Sequence, residues 1–377
     1  MSLSTLLPHG PRPRCSTLAL AATGVLLAAS IGARADEPAP LLASAAKRVP
    51  DVPWPAGDQK GMGNTQGPGT WARCAWHMGR PGAKSYELSW ERTKTMPLSP
   101  FVAPLVVKPK PVAGIPGTAH AFNGETLNEG AEPGQQGTQL DALGHFGMLK
   151  QPWDGKPPFP TGDVVYYGGL SAAEVKPSAD SPLLKLGIEQ IPPIVTTAVL
   201  LDAKRHANGG QPMKAGEVVT AAQIKKILAA QGLARRGLQP GDVVYVYTGW
   251  SDRYKDPDTE KTYYAMAPGL AYDAAQMLGA ARVVAVGVDA PFVDSVPEGM
   301  LAGKAGPAPG ALPGLPFSVH HHLLTQVGIV QVENARLHEL AADRVYTSCT
   351  MILPTRERGA AGAAVRPVAI GAATKGR

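Results

Sequence analysis

Apolar residues fall into short runs whose character changes along the chain. Residues 193–201 form an unbroken β-rich run that stops at Asp202, the signature of a strand buried on both faces. Residues 241–247 repeat it, with Val243, Val244, Tyr245 and Val246 ahead of Thr248-Gly249-Trp250. Residues 283–288 do so again and stop at Asp289. Between them the period changes. Over 220–231, Ile224, Ile227 and Leu228 share one helical face while Lys225 and Lys226 take the other. Residues 71–78 and 271–278 also read as helices, 86–89 as a first strand, 323–332 as a turn and strand, and 365–370 as the closing strand. The prolines of 97–116 restrict that stretch to an edge strand and loops. Strands alternate with helices through the second half, which predicts an α/β fold in one domain over 66–377. Residues 36–65, rich in Pro, Gly and Ala, read as a flexible leader.

The first 35 residues change the picture of where the protein works. Arg12 and Arg14 precede the apolar run 18–31, and Ala33-Arg34-Ala35 offers a small-x-small cleavage site. A secretory signal peptide cut between Ala35 and Asp36 is expected, giving a periplasmic or secreted protein with no membrane anchor after cleavage. The formal charge is +6, and the cut would remove three of the arginines. No basic stripe interleaved with aromatics occurs, so nucleic acid is not an expected partner. Hydrophobic residues at 44% and charged residues at 18% describe a globular chain. Of three cysteines, Cys15 leaves with the leader. Cys74 and Cys349 stay, either as a disulfide or as two buried thiols.

The densest chemistry lies in Gly137-Thr138-Gln139-Leu140-Asp141-Ala142-Leu143-Gly144-His145-Phe146-Gly147. Gln139 and Asp141, two apart, point the same way on an extended segment, and a turn can return His145 over them. This is half of a metal site with an acid/base residue beside it. The other half is Val319-His320-His321-His322, followed by the strand that ends at Glu333. Adjacent helical residues diverge by about 100°, so the three histidines cannot all face one point. Asp141, His320 and Glu333 make a set of two carboxylates and one imidazole suited to a divalent ion such as zinc or manganese. Gln139 offers a weaker, neutral oxygen. Trp153, Phe159 and Trp250 are candidates for a flat apolar pocket wall, and His120 for a further polar contact.

These segments resemble the cyclase family that includes bacterial kynurenine formamidases and isatin hydrolases. The family pattern His-x-Gly-Thr-His-x-Asp-x-Pro-x-His-Phe is met here by Gln135-Gln136-Gly137-Thr138-Gln139-Leu140-Asp141-Ala142-Leu143-Gly144-His145-Phe146. The likeness runs from about residue 71 to 370. It implies a swivelling β/β/α fold, an oligomer, and a metal-dependent hydrolase acting on a C–N or C–O bond of a small amide, lactam or ester. It assigns His145 as general acid/base. Glutamines at 135 and 139 replace two metal-binding histidines of the two-metal relatives, so one ion is expected. The substrate expected is a small, aromatic or cyclic molecule. A non-catalytic binding protein on the same scaffold, and a metal-dependent cyclase or lyase, are the other readings.

Overall fold

A nine-stranded mixed sheet organises the chain. The computed structural model describes residues 37–128 and 137–374. The signal-peptide reading and Gln135 lie outside them. The sheet strands are β1 (Lys84–Glu87), β2 (Gln139–Asp141), β3 (Ile194–Asp202), β4 (Val243–Tyr247), β5 (Ala285–Val288), β6 (Val330–Glu333), β7 (Thr347–Ile352), β8 (Gly362–Ala364) and β9 (Val368–Gly371). Their spatial order is β1-β9-β7-β3-β4-β5-β6-β2-β8. The centre, β3 to β6, is parallel. The flanking strands β7, β9 and β1 on one side, and β2 and β8 on the other, run antiparallel to their neighbours.

The central strands are parallel because helical crossovers join them and cover the sheet, which forces both faces to be apolar. Val243, Val244, Tyr245 and Val246 are all fully buried. Helices α3 (Ala221–Ala230) and α4 (Tyr272–Ala280) supply two of these crossovers. Helix α3 starts where the expected face begins: Thr220 Oγ1 accepts the Gln223 N–H, and Gln223 Oε1 accepts the Thr220 N–H. Its buried side chains are Ile224, Ile227 and Leu228, the face read from the sequence. The α/β, single-domain expectation holds.

The leader expected to be loose is instead packed. Helix α1 (Ala39–Ala46) lies so close to α2 (Pro68–Met78) that a Cβ on Gly69 would stand 2.6 Å from the Ala45 carbonyl oxygen. Just ahead of α1, the buried Glu37 carboxylate receives Arg236 Nε at 2.6 Å, Arg236 Nη2 at 3.0 Å and Thr197 Oγ1 at 2.6 Å. Arg236 also bonds Asp242 through two nitrogens. His77 on α2 stands 3.3 Å from Glu37. With Arg73 on α2, 3.5 Å from Asp242, two acids, two arginines and a histidine thus share one enclosed space, where each charge is tolerable only because an opposite charge meets it. Beside them, Cys74 on α2 is joined to Cys349 on β7 by a disulfide.

The region 97–116 is no edge strand of the sheet. Residues Val106–Pro109 pair with Glu125–Asn128, and Ala113–Gly114 with Ala121–Phe122, in a separate two-stranded ribbon. No described helix is long and apolar enough to cross a membrane.

Candidate metal centre

The site is built where β2 joins the parallel core. Pairing of β2 with β6 sets Gln139 opposite Glu333 and Asp141 opposite Gln331. Gln139 and Asp141 face the same side, as their spacing requires. The Gln139 amide donates to Asp141 Oδ1 at 3.2 Å and to Glu333 Oε2 at 3.1 Å. On the other flank, β8 approaches so closely that a Cβ on Gly362 would lie 2.8 Å from the Leu140 carbonyl oxygen. Asn334, in a left-handed conformation at φ 57°, holds the entry to β2. Its Nδ2 donates to the Gly137 carbonyl at 2.9 Å, while its own carbonyl accepts Thr138 Oγ1 at 2.8 Å.

The chain then turns through the short helix Leu143–His145, and this turn returns His145 to the site. His320 comes from the far side, on the helical turn Ser318–His320 that continues into the π-helical segment His321–Val327. Its orientation has a specific cause. Asp294 accepts the backbone N–H groups of Val319 and His320 at 2.8 and 2.9 Å, and stands 2.6 Å from His320 Nδ1. With Nδ1 tied to that carboxylate, Nε2 faces Glu333 Oε1 at 3.3 Å and Asp141 Oδ2 at 3.9 Å. The other two histidines turn away, His321 to Thr325 and Gln326, His322 to Gln326 and the Tyr272 ring.

One ligand atom each from Asp141, His145 and His320 lie within 4.8 Å of one another. Glu333 falls outside that trio and is linked to it through His320 and Gln139. Its Oε1 also accepts the Val293 N–H at 2.9 Å. Burial, and next the Asp141 charge, push the Glu333 carboxyl up to about 7. Burial opposes the His320 cation, yet hydrogen bonds to Asp294 and Glu333 and the charges of both raise its pKa to about 10. A buried proton here does what a cation would do: it offsets adjacent acids. Two acceptor-only atoms, Asp141 Oδ2 and Gln139 Oε1, are buried with no hydrogen-bond donor among the described residues. An unsatisfied carboxylate oxygen facing an imidazole nitrogen, with a second carboxylate behind that imidazole, suits a divalent ion. The residues therefore fit the metal that the sequence led us to expect.

Two half-buried phenylalanines adjoin His320, and a third backs one of them. Phe146 stacks on its ring at 4.7 Å, Phe317 meets it edge-on at 5.8 Å, and Phe292 leans on Phe317 at 6.2 Å. The residues expected to form the wall are elsewhere. Trp250 is 1% exposed and donates its indole N–H to the Tyr263 carbonyl, a core position. Trp153 and Phe159 are exposed and pack edge-to-face on each other at 5.4 Å. His120 lies exposed on the ribbon. Asp294 and the phenylalanines were missed by sequence reasoning. Phe146, inside the motif, is the one with a signal that could have found it. A cavity of about 460 Å³, lined in part by Lys60, Asn64, Trp71 and Pro192, includes none of the site residues.

Fold and site together define an α/β domain with a candidate metal centre at the junction of its parallel and antiparallel strands. The chain belongs to the cyclase family: the family model described as "Putative cyclase" matches residues 42–295. That match ends just past Asp294, short of His320 and Glu333. Among solved structures, one described as a novel cyclase is 24% identical, with a TM-score of 0.66 over 84% of this chain and 97% of that one. Isatin hydrolase A from Ralstonia solanacearum is 18% identical, with a TM-score of 0.51 over 76% and 92%. An isatin hydrolase bound to the product analogue thioisatinate is 16% identical, with a TM-score of 0.50 over the same shares. No curated protein matches the chain.

Proposed function

We propose that this protein is an exported hydrolase that uses one divalent ion, zinc or manganese, to open a C–N or C–O bond in a small amide, lactam or ester. The observation that carries the reading is the convergence of Asp141, His145 and His320 beside two unsatisfied carboxyl and amide oxygens. Asp141, His320 and Glu333 would hold the ion, and a turn of the Gln139 amide would bring its oxygen in as a neutral fourth donor. When bound, such an ion supplies Lewis acidity towards a carbonyl and acidifies a water.

This chain's own residues do the rest. His145, half-buried at the edge of the cluster, takes a proton from water at a ring nitrogen and returns it to the leaving nitrogen or oxygen. Asp294 keeps His320 in one tautomer with Nε2 free. Phe146, Phe292 and Phe317 exclude water and favour a flat aromatic or cyclic substrate. The likeness to isatin hydrolases supports lactam opening in particular. Export is supported by the leader and by the Cys74–Cys349 bond, a linkage at home in an oxidising compartment.

The test is metal analysis followed by a screen of formyl-amides, lactams and lactones. A stoichiometric divalent ion after reconstitution is expected, and its absence would refute the hydrolytic reading. His145→Ala is expected to lower kcat by about 10²–10⁴-fold with metal content unchanged. Loss of the ion in that variant would make His145 a ligand instead.

A further inference from the structure

Gln331, on β6, is 0% exposed, and neither polar atom of its amide has a hydrogen-bond partner among the described residues. No other buried side chain among them leaves two polar atoms unpartnered. An amide taken out of water with nothing to pair with is costly, so buried amides are kept where something meets them.

Register shows where that something would lie. Gln331 stands directly opposite Asp141 and two residues before Glu333. Opposed residues of an antiparallel pair share a face, as do residues two apart on one strand. Gln331 therefore leaves the sheet on the face that carries Asp141, Gln139 and Glu333, with its Cβ about 4.5–5.5 Å from that of Asp141. The other unpartnered oxygens of these two strands, Asp141 Oδ2 and Gln139 Oε1, are on this face too. The residue opposite Asp141 on its other flank is Gly362, so β8 lays no side chain over the carboxylate at that position.

The two glutamines differ in what they leave free. Gln139 commits its amide nitrogen to Asp141 and Glu333. Gln331 keeps a donor and an acceptor side by side in one plane. A metal ion would meet the oxygen and leave the nitrogen. An ester or lactone offers acceptors only. An open-chain secondary amide is trans, with its N–H and C=O on opposite sides. A small ring forces the amide cis and sets N–H and C=O on one edge, the complement of a glutamine amide. The carbonyl oxygen has a second lone pair, which stays available to an ion beside Asp141.

We propose that Gln331 determines specificity at this site: its Nε2 donates to the carbonyl oxygen of a ring amide, and its Oε1 accepts that amide's N–H. Lactams and imides with an unsubstituted nitrogen are thereby preferred to esters, lactones and N-alkylated lactams. The inference rests on the hydrolytic reading above and narrows its substrate class.

Titration calorimetry on the zinc-loaded mature protein tests this with a matched pair of probes, isoindolin-1-one, a ring amide, and phthalide, the lactone with oxygen in place of the N–H. The parent is expected to bind isoindolin-1-one about 10–100-fold more tightly, the net effect of two buried hydrogen bonds. Gln331→Met keeps the length of the side chain and removes both polar atoms. It should erase the preference while leaving phthalide affinity as in the parent. Without probe, its melting temperature should equal or exceed the parent's, since an unpaired amide has given way to an apolar group. Equal binding of both probes by the parent, or binding of neither, overturns the proposal, as does a preference that survives in Gln331→Met. A lower melting temperature with the preference intact would make Gln331 a holder of buried water and overturns it as well. Zinc content of the same samples separates the two readings: no zinc sinks both, whereas zinc without a preference for the N–H sinks this one alone.

Discussion

Replacing Asp294 by asparagine isolates one idea: that a carboxylate with no contact to the ion sets how tightly the ion is held. Asp294 is 4% exposed and makes three contacts, two with backbone N–H groups and one with His320 Nδ1. Asparagine keeps the volume and one acceptor oxygen but loses the charge. Hydrogen bonds to charged groups contribute about 1.5–3 kcal/mol, against about 0.5–1.5 for neutral ones. Losing charge assistance on the imidazole should cost 10–100-fold in metal affinity, the range typical of such outer carboxylates. A second effect opposes this. Asp294 helps raise the His320 pKa to about 10, so in the parent the ion must displace a proton, and in the variant less so. The affinity loss should therefore be largest in alkaline buffer and shrink towards neutral pH. Competition against a chromophoric chelator across that range measures it. Ser318→Ala is the control. Ser318 Oγ bonds Leu315 and Leu312 in the same turn without touching the imidazole, so that variant should lose about 1 kcal/mol of stability and keep its affinity. Asp294→Asn binding as the parent does in alkaline buffer, or Ser318→Ala losing as much, would refute the reasoning.

Two further outcomes concern the frame. Burial opposes the Glu37 charge, but Arg236 and His77 hold its carboxyl well below the ordinary range, while burial holds His77 low as well. The unfolded chain then takes up more protons at both sites, so stability should fall as pH drops below about 6.5 for His77 and below about 4.3 for Glu37. Glu37→Gln should remove the lower step and cost about 3–5 kcal/mol at neutral pH in urea melts, and an unchanged acid limb would count against the cluster. The Cys74–Cys349 bond spans a sequence separation of 275 residues, and C74S/C349S should lower stability by about 2–5 kcal/mol; equal stability would deny the bond its role.

The central strands were legible because burial on both faces leaves an apolar run, as in Val243–Tyr247. Strand β7 was not. Its Thr347, Ser348 and Thr350 are buried polar groups that resemble surface residues until their partners are known, Tyr245 facing Thr350 being one. Gln139, Asp141 and His145 stand close together in one motif, as do His320 and Glu333 in another, but the link between the two motifs came only with the family resemblance, since Gln139 and Glu333 are 194 positions apart. Asp294 was not legible, because it acts on a residue 26 positions away, and nothing local marks that. Glu37 looked like one more acid in a Pro- and Ala-rich leader, yet its partners Thr197 and Arg236 lie 160 and 199 positions on.

The disulfide has a topological consequence. Cys74 and Cys349 close a covalent ring that contains Asp141, His145, Asp294, His320 and Glu333, together with the ribbon and the 149–163 loop. Those protruding segments are where a protease would cut first. A single cut anywhere within the ring leaves both pieces tied through sulfur. The nicked chain keeps its site residues in one molecule, and only reduction would release them.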